Sequence, residues 1–278
     1  MSLSRERGGS AAPGALSSLV FTVFGDFVGP GEVPVAALVR AMALFEASSP
    51  AVRQAVSRLT RGGWLESRPD SGRARYSLTA RGLARVRGVA PRLYEPAAEW
   101  DGRWRLIVFA IPETQRATRD RLRSELTVLG LAPLAASVWI SPRDVIADLR
   151  QTVAAYRLPE AIDLFSASYA GPSSDRELLE RSWDLDRIAS AYCAFIAQYE
   201  PRWQKERVQR VLDEPAAFAE RVRLVHEFRR FLYLDPGFPS ALLPAHWPGS
   251  VASALFREYY AALSPRAQRY FERCCALR

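Results

Sequence analysis

Between Ser49 and Leu78 the chain leaves little conformational choice. Ser48 or Ser49 supplies a capping hydroxyl, and Pro50 fits the first turn of a helix. Val52, Ala55, Val56 and Leu59 recur at helical spacing as one apolar stripe, with Arg53, Gln54, Ser57, Arg58 and Arg61 opposite. Gly62-Gly63 ends the helix, because glycine accepts a left-handed cap. Trp64 to Arg68 and Arg75 to Leu78 then read as two strands around the turn Pro69-Asp70-Ser71-Gly72. Two apolar helical segments, 16–28 and 33–45, precede this stretch. Three helices and a hairpin carrying Arg73 and Arg75 make up the inventory of a winged helix-turn-helix.

Charge singles out the same stretch. From Ser49 to Arg92 there are ten arginines against Glu66 and Asp70, an excess equal to the +8 of the whole chain. The remainder is balanced, so the positive field is local. An arginine-bearing helix face is commonly only a solvated face. A local excess of this size is instead the footprint of a nucleic-acid binder. Arg53, Gln54, Ser57 and Arg58 are the side chains suited to base edges. Arg61, Arg73 and Arg75 are suited to phosphates, with Arg73 or Arg75 also able to enter a minor groove.

The other classes have little to stand on. A hydrophobic fraction of 49% with seven tryptophans indicates packed cores. No apolar run reaches the roughly 18 residues a membrane span needs, and the polar start reads as a flexible tail rather than a leader. Cys193, Cys274, Cys275 and the two histidines have no metal-ligand spacing, and free thiols suit a reducing cytoplasm. There is no phosphate-binding GK[ST] loop and no nucleophile elbow, so no enzyme is expected.

The expected fold class is α+β. A tail (1–16) leads to a winged-helix domain (17–90) and a Pro-containing linker (91–102). A central domain (103–174) follows, whose order β-α-β(β)-α-β suggests a ferredoxin-like βαββαβ unit. A helical domain (175–278) closes the chain, with helices over 175–181, 184–199, 215–232, 250–262 and 264–275. Four prolines between Leu234 and Gly249 make a packed loop there.

Six stretches carry a resemblance to a known family: SLVFTVFGDFV ending at Val28, AVRQAVSRLTRGGWLESR (51–68), YSLTARG (76–82), WDGRWRLIVFAIPE (100–113), LGLAPLAASVWISP (129–142) and RLVHEFRRFLYLDPGFPSALLPAHWPG (223–249). The chain resembles the PaaX family of transcriptional repressors of phenylacetate catabolism. The resemblance implies a homodimer on a double-stranded, palindromic operator, released by an aryl acyl-CoA effector such as phenylacetyl-CoA. The central domain is also similar to small ferredoxin-like nucleases of CRISPR adaptation, in which an aspartate closing the first strand holds a metal. Here that position is Ala110, in Val108-Phe-Ala-Ile-Pro112, so the domain reads as a structural and dimerisation module.

His226, Arg229, Arg230 and Trp247 are the candidates for effector binding, since a guanidinium fork suits a phosphate and Trp247 an aryl group. Against this stand a satisfied helix histidine, arginines paired with Glu227 or Asp235, and a core tryptophan. Two other functions remain open: a metal-dependent nuclease using Glu113 or Asp144, and an adaptor whose basic domain binds protein.

Overall fold

The computed structural model describes residues 13–70, 73–94, 99–156 and 159–277. Helix α1 (Pro13–Val23) passes into a π-helical turn, Phe24–Val28, that stops at Gly29 (φ 57°). Strand β1 (Glu32–Pro34) comes next, where the sequence had suggested helix from Val33. Pro34 explains the difference, because the residue before a proline is pushed out of the helical region. Helices α2 (Val35–Met42) and α3 (Ser49–Arg61) follow, and the chain bends by 118° between them. The bend is made by a 3-10 turn, Ala43–Phe45, and by left-handed Glu46.

Strands β2 (Leu65–Asp70) and β3 (Arg73–Leu78) form the hairpin, and β1 joins its far side in the antiparallel order β1-β3-β2. Leu65 faces Leu78, and Val33 faces Tyr76. Helix α4 (Ala80–Tyr94) runs on past Pro91, into the stretch expected as linker.

The TARG sequence has a specific task. The Thr79 hydroxyl donates to Gly63 O at 2.8 Å and accepts from Gly82 N at 3.0 Å, tying the start of α4 to the end of α3. A Cβ on Gly82 would stand 2.5 Å from Trp64 O and 3.0 Å from Leu78 Cδ2. Gly82→Ala is therefore expected to destabilise by about 1–3 kcal/mol through overpacking, read as a lower midpoint in thermal melting.

The second sheet comprises β4 (Trp104–Phe109), β5 (Ala132–Ala135), β6 (Val138–Ser141) and β7 (Ile162–Ala167), antiparallel in the order β5-β6-β4-β7. Helix α5 (Arg116–Val128) links β4 to β5, and α6 (Ile146–Tyr156) links β6 to β7. Ile107, Phe109, Trp139 and Ile162 pack with Leu122 and Leu126 of α5 and Leu149 of α6.

The C-terminal part is helical: α7 (Asp175–Ser182), α8 (Leu185–Gln209), α9 (Glu214–Phe228), the short α10 (Phe231–Leu234) and α11 (Pro248–Ala276). The two helices expected over 250–262 and 264–275 are one, despite Pro265. Carbonyls near the proline find other donors: Ser264 Oγ bonds Tyr260 O at 2.6 Å, and Arg266 Nη2 reaches Ala262 O at 3.3 Å.

Two compact units result, and both are discontinuous in sequence. Unit 1 takes the described residues of the first 91, together with Tyr199–Phe228 and the residues from Ala254 onward. Its core joins Val20, Phe24, Leu38, Met42, Val52, Val56 and Leu65 to Phe218 and Val222 of α9 and Phe271 of α11. Phe27 lies 4.8 Å from Phe218, ring to ring. A buried polar cluster crosses this core. Arg221 Nε donates to Asp26 Oδ2 at 2.8 Å, and Arg221 Nη2 donates to the Tyr260 hydroxyl at 2.7 Å. That hydroxyl donates to Asp26 Oδ1 at 2.8 Å. The guanidinium is sandwiched between the Phe27 and Tyr260 rings, 4.3 and 4.4 Å from their centroids. Arg40 of α2 caps the end of α11, donating to Cys274 O and Leu277 O.

Unit 2 takes Arg92–Gln198 and Arg229–Ser253. Besides the sheet core it has an aromatic cluster. Trp104 Nε1 donates to Asp175 at 2.6 Å, and its ring faces Trp183. Tyr192 stacks on Phe231 at 4.0 Å.

Candidate nucleic-acid interface

Helix α3 begins where the sequence placed it. Ser48 is the cap, its extended backbone (ψ 151°) setting Oγ to accept from Ala51 N at 3.4 Å, with Pro50 in the first turn. Gly63, at φ 70°, turns the chain away after Arg61. Val52, Ala55, Val56 and Leu59 are buried, so the opposite face is fixed outward. Arg53, Gln54, Ser57 and Arg61 are exposed on it. Arg53, Ser57 and Arg61 are spaced by four, so they lie in one row along the helix.

The remaining basic residues are used differently. Arg58 is half-buried, and its Nε donates to Ser17 Oγ at 3.1 Å, which ties α3 to α1. Arg75 pairs through Nε with Glu32 at 2.7 Å, and so holds β3 to β1. The side chain of Arg73 and the turn residues Ser71 and Gly72 lie outside the described residues. Arg68, on the hairpin, is 73% exposed, and its 3.8 Å pair with Glu66 is a surface contact of small worth. Arg81 lies over the Trp64 ring at 4.1 Å and donates to Gly62 O at 3.2 Å, which closes the carboxyl end of α3. Sequence reasoning found the outward residues of α3 but overlooked Arg68 on the wing, Arg81 and the Ser17 contact.

The four effector candidates do not share a unit. His226 is half-buried on α9 in unit 1. Arg229, Arg230 and Trp247 belong to unit 2. Arg230 Nη2 donates to Ala191 O at 3.3 Å. Trp247 is 8% exposed and packs edge-on against Tyr192. Asp235 accepts from the Tyr192 hydroxyl at 2.7 Å, from Gly237 N at 2.6 Å and from Phe238 N at 3.2 Å, which shapes the Asp-Pro-Gly-Phe turn.

The acids around β4 are engaged by arginines. Arg105, itself buried, bonds Asp101 at 2.6 Å and approaches Asp144 at 3.4 Å. The Arg105 guanidinium holds the Asp101 carboxyl below its usual pKa. Glu113 meets Arg119 at 2.7 Å. Among the described residues no three acids, histidines or cysteines converge as a metal site would need.

Three family models fall in order along the chain: "PaaX-like protein" over residues 15–82, "PaaX protein central Cas2-like domain" over 97–179 and "PaaX-like protein C-terminal domain" over 183–273. The chain belongs to the PaaX family. Among PaaX relatives, the transcriptional repressor PaaX of Escherichia coli (strain K12) is 28% identical over 268 residues, 93% of this chain and 83% of its own. The uncharacterized protein Rv0674 from Mycobacterium tuberculosis has the same fold, with a TM-score of 0.60. It is 22% identical, over 94% of this chain and 99% of its own. The PaaX model of residues 15–82 runs from within α1 to past β3, and so contains the whole outward face of α3.

Proposed function

We propose that this protein is a DNA-binding transcriptional repressor and not an enzyme. The observation that carries the reading is the outward face of α3, on which Arg53, Gln54, Ser57 and Arg61 stand exposed with no acid among them. The 118° bend between α2 and α3 suits a helix-turn-helix, and β2-β3 suits its wing. The kinship with a named transcriptional repressor supports the same reading. The order β5-β6-β4-β7 and the Cas2-like description of residues 97–179 support reading the central domain as a ferredoxin-like unit.

In this reading α3 enters the major groove, and its first turns, carrying Arg53, Gln54 and Ser57, read base edges. Arg58 acts from behind by fixing α3 on α1. Arg61, Arg68 and Arg73 hold phosphates. A homodimer places two such helices on a palindromic operator. An aryl acyl-CoA, phenylacetyl-CoA or a relative, releases it by binding one arrangement of the dimer more tightly than the other. Such a regulator works in the cytoplasm.

The test is a mobility-shift titration with duplexes selected from a random pool, repeated at several salt concentrations. A selected palindrome should bind, and log K should fall linearly with log salt. Arg61→Ala should weaken all sequences alike and flatten that slope by about one unit. Binding that enriches no sequence and ignores salt would overturn the reading and favour a protein-binding adaptor.

A further inference from the structure

We infer that Arg143 anchors an anion-binding site in unit 2, one that takes a phosphate group of a small ligand. Arg143 lies between β6 and α6, and its backbone N–H is held by Ser141 Oγ at 3.2 Å. Ser141 is fully buried, so the stem of the loop is fixed. The side chain runs along Gly237, where a Cβ would stand 3.7 Å from Arg143 Cδ and 3.8 Å from Nε. Gly237, at φ 85°, thus leaves the lane in which the arginine lies.

The guanidinium is half-buried, and among the described residues it makes no hydrogen bond and no ion pair. The two buried arginines have carboxylates, Arg105 with Asp101 at 2.6 Å and Arg221 with Asp26 at 2.8 Å, and half-buried Arg266 has Glu206. Burial pulls the Arg143 pKa down, while Asp148 and Asp235 pull it up from beyond pairing distance. Neither acid closes on it. Asp235 is spent on Tyr192 and the two backbone N–H groups, and Asp148 is exposed on α6. A half-buried guanidinium that no protein acceptor engages is open to an anion from solution. Its planar fork is the group best matched to a phosphate.

The inference deepens the effector reading and rests on it for the choice of ligand, since an acyl-CoA carries several phosphates. The test is thermal melting of the full chain and of Arg143→Met, each with phenylacetyl-CoA, with inorganic phosphate and with phenylacetate. Without ligand, the variant should melt at or above the parent. Phenylacetyl-CoA and phosphate should raise the parent's midpoint, and the variant should bind them about tenfold to a hundredfold more weakly, the loss of charge-assisted hydrogen bonds. Phenylacetate alone should do nothing at this site. Arg143→Lys, which keeps charge but not the fork, should fall between. A shift by phosphate but not by phenylacetyl-CoA upholds the anion site and removes that effector. A shift by phenylacetyl-CoA equal in parent and variant upholds the effector and overturns the site. So does an unliganded variant that unfolds earlier than the parent, or a parent indifferent to both phosphate-bearing probes.

Discussion

Arg221→Ala should lower the stability of the protein by about 3–5 kcal/mol, the usual cost of removing one partner of a buried ion pair. The side chains of Arg221 and Asp26 are only 6% and 3% exposed. Alanine would take the guanidinium away from the Asp26 carboxylate, inside a core too dry to solvate the bare charge. The two aromatic faces that hold the guanidinium would also lose their filling. Thermal melting should show a drop on the order of 10 °C, at a few degrees per kcal/mol. The double change Arg221→Met with Asp26→Leu should recover most of that loss, because replacing both charges by apolar groups is often neutral. A single variant as stable as the parent would mean that this pair does not hold α9 against the amino-terminal core.

Arg53→Ala should cost about 1–3 kcal/mol of operator binding, or roughly five- to 150-fold in affinity, and should relax the preference at one base pair of each half-site. Arg53 is exposed in the early turns of α3, and the first residues of a recognition helix are those that reach base edges. Non-specific binding should change much less, which separates a lost base contact from a lost phosphate contact. Arg53→Lys keeps the charge and loses the bidentate fork, so it should keep the salt slope and lose the selectivity. The check is competition between the selected palindrome and single-base variants of it. An Arg53→Ala protein with unchanged discrimination would move the reading face elsewhere. Arg58→Ala should behave differently. Its bond to Ser17 lies within the protein, so its loss should reach the operator through the seating of α3.

Local signals were legible in the sequence and distant ones were not. The serine cap, the apolar stripe and the glycine pair delimit α3 because each acts within a few residues. The hairpin was equally plain, and its strands extend further toward the turn than their composition indicated. Strand β1 was missed because three residues gain strand character only by pairing with β3, more than forty residues away. The unbroken α11 was missed because the side chains that relieve Pro265 are visible only once the helix has formed. For the interface, residue type and periodicity told inward from outward on α3. They could not show that Arg58 and Arg75 are engaged by Ser17 and Glu32. Arg221 drew no notice, although an arginine at helical spacing from Ala217, Phe218 and Val225 marks a charge on an apolar face.

The amino-terminal core closes only with Phe218, Val222 and Phe271 in place. A ribosome must therefore make the chain as far as Phe271 before the reading head can reach its native packing. Early nascent chains hold Phe27 and Phe45 without these cover residues, and their hydrophobic faces invite chaperones rather than operators. Folding should be slow for so small a helical head, because its contacts span long sequence separations. A fragment cut at Pro91 should be a poor substitute for the intact regulator even though it retains α3 entire.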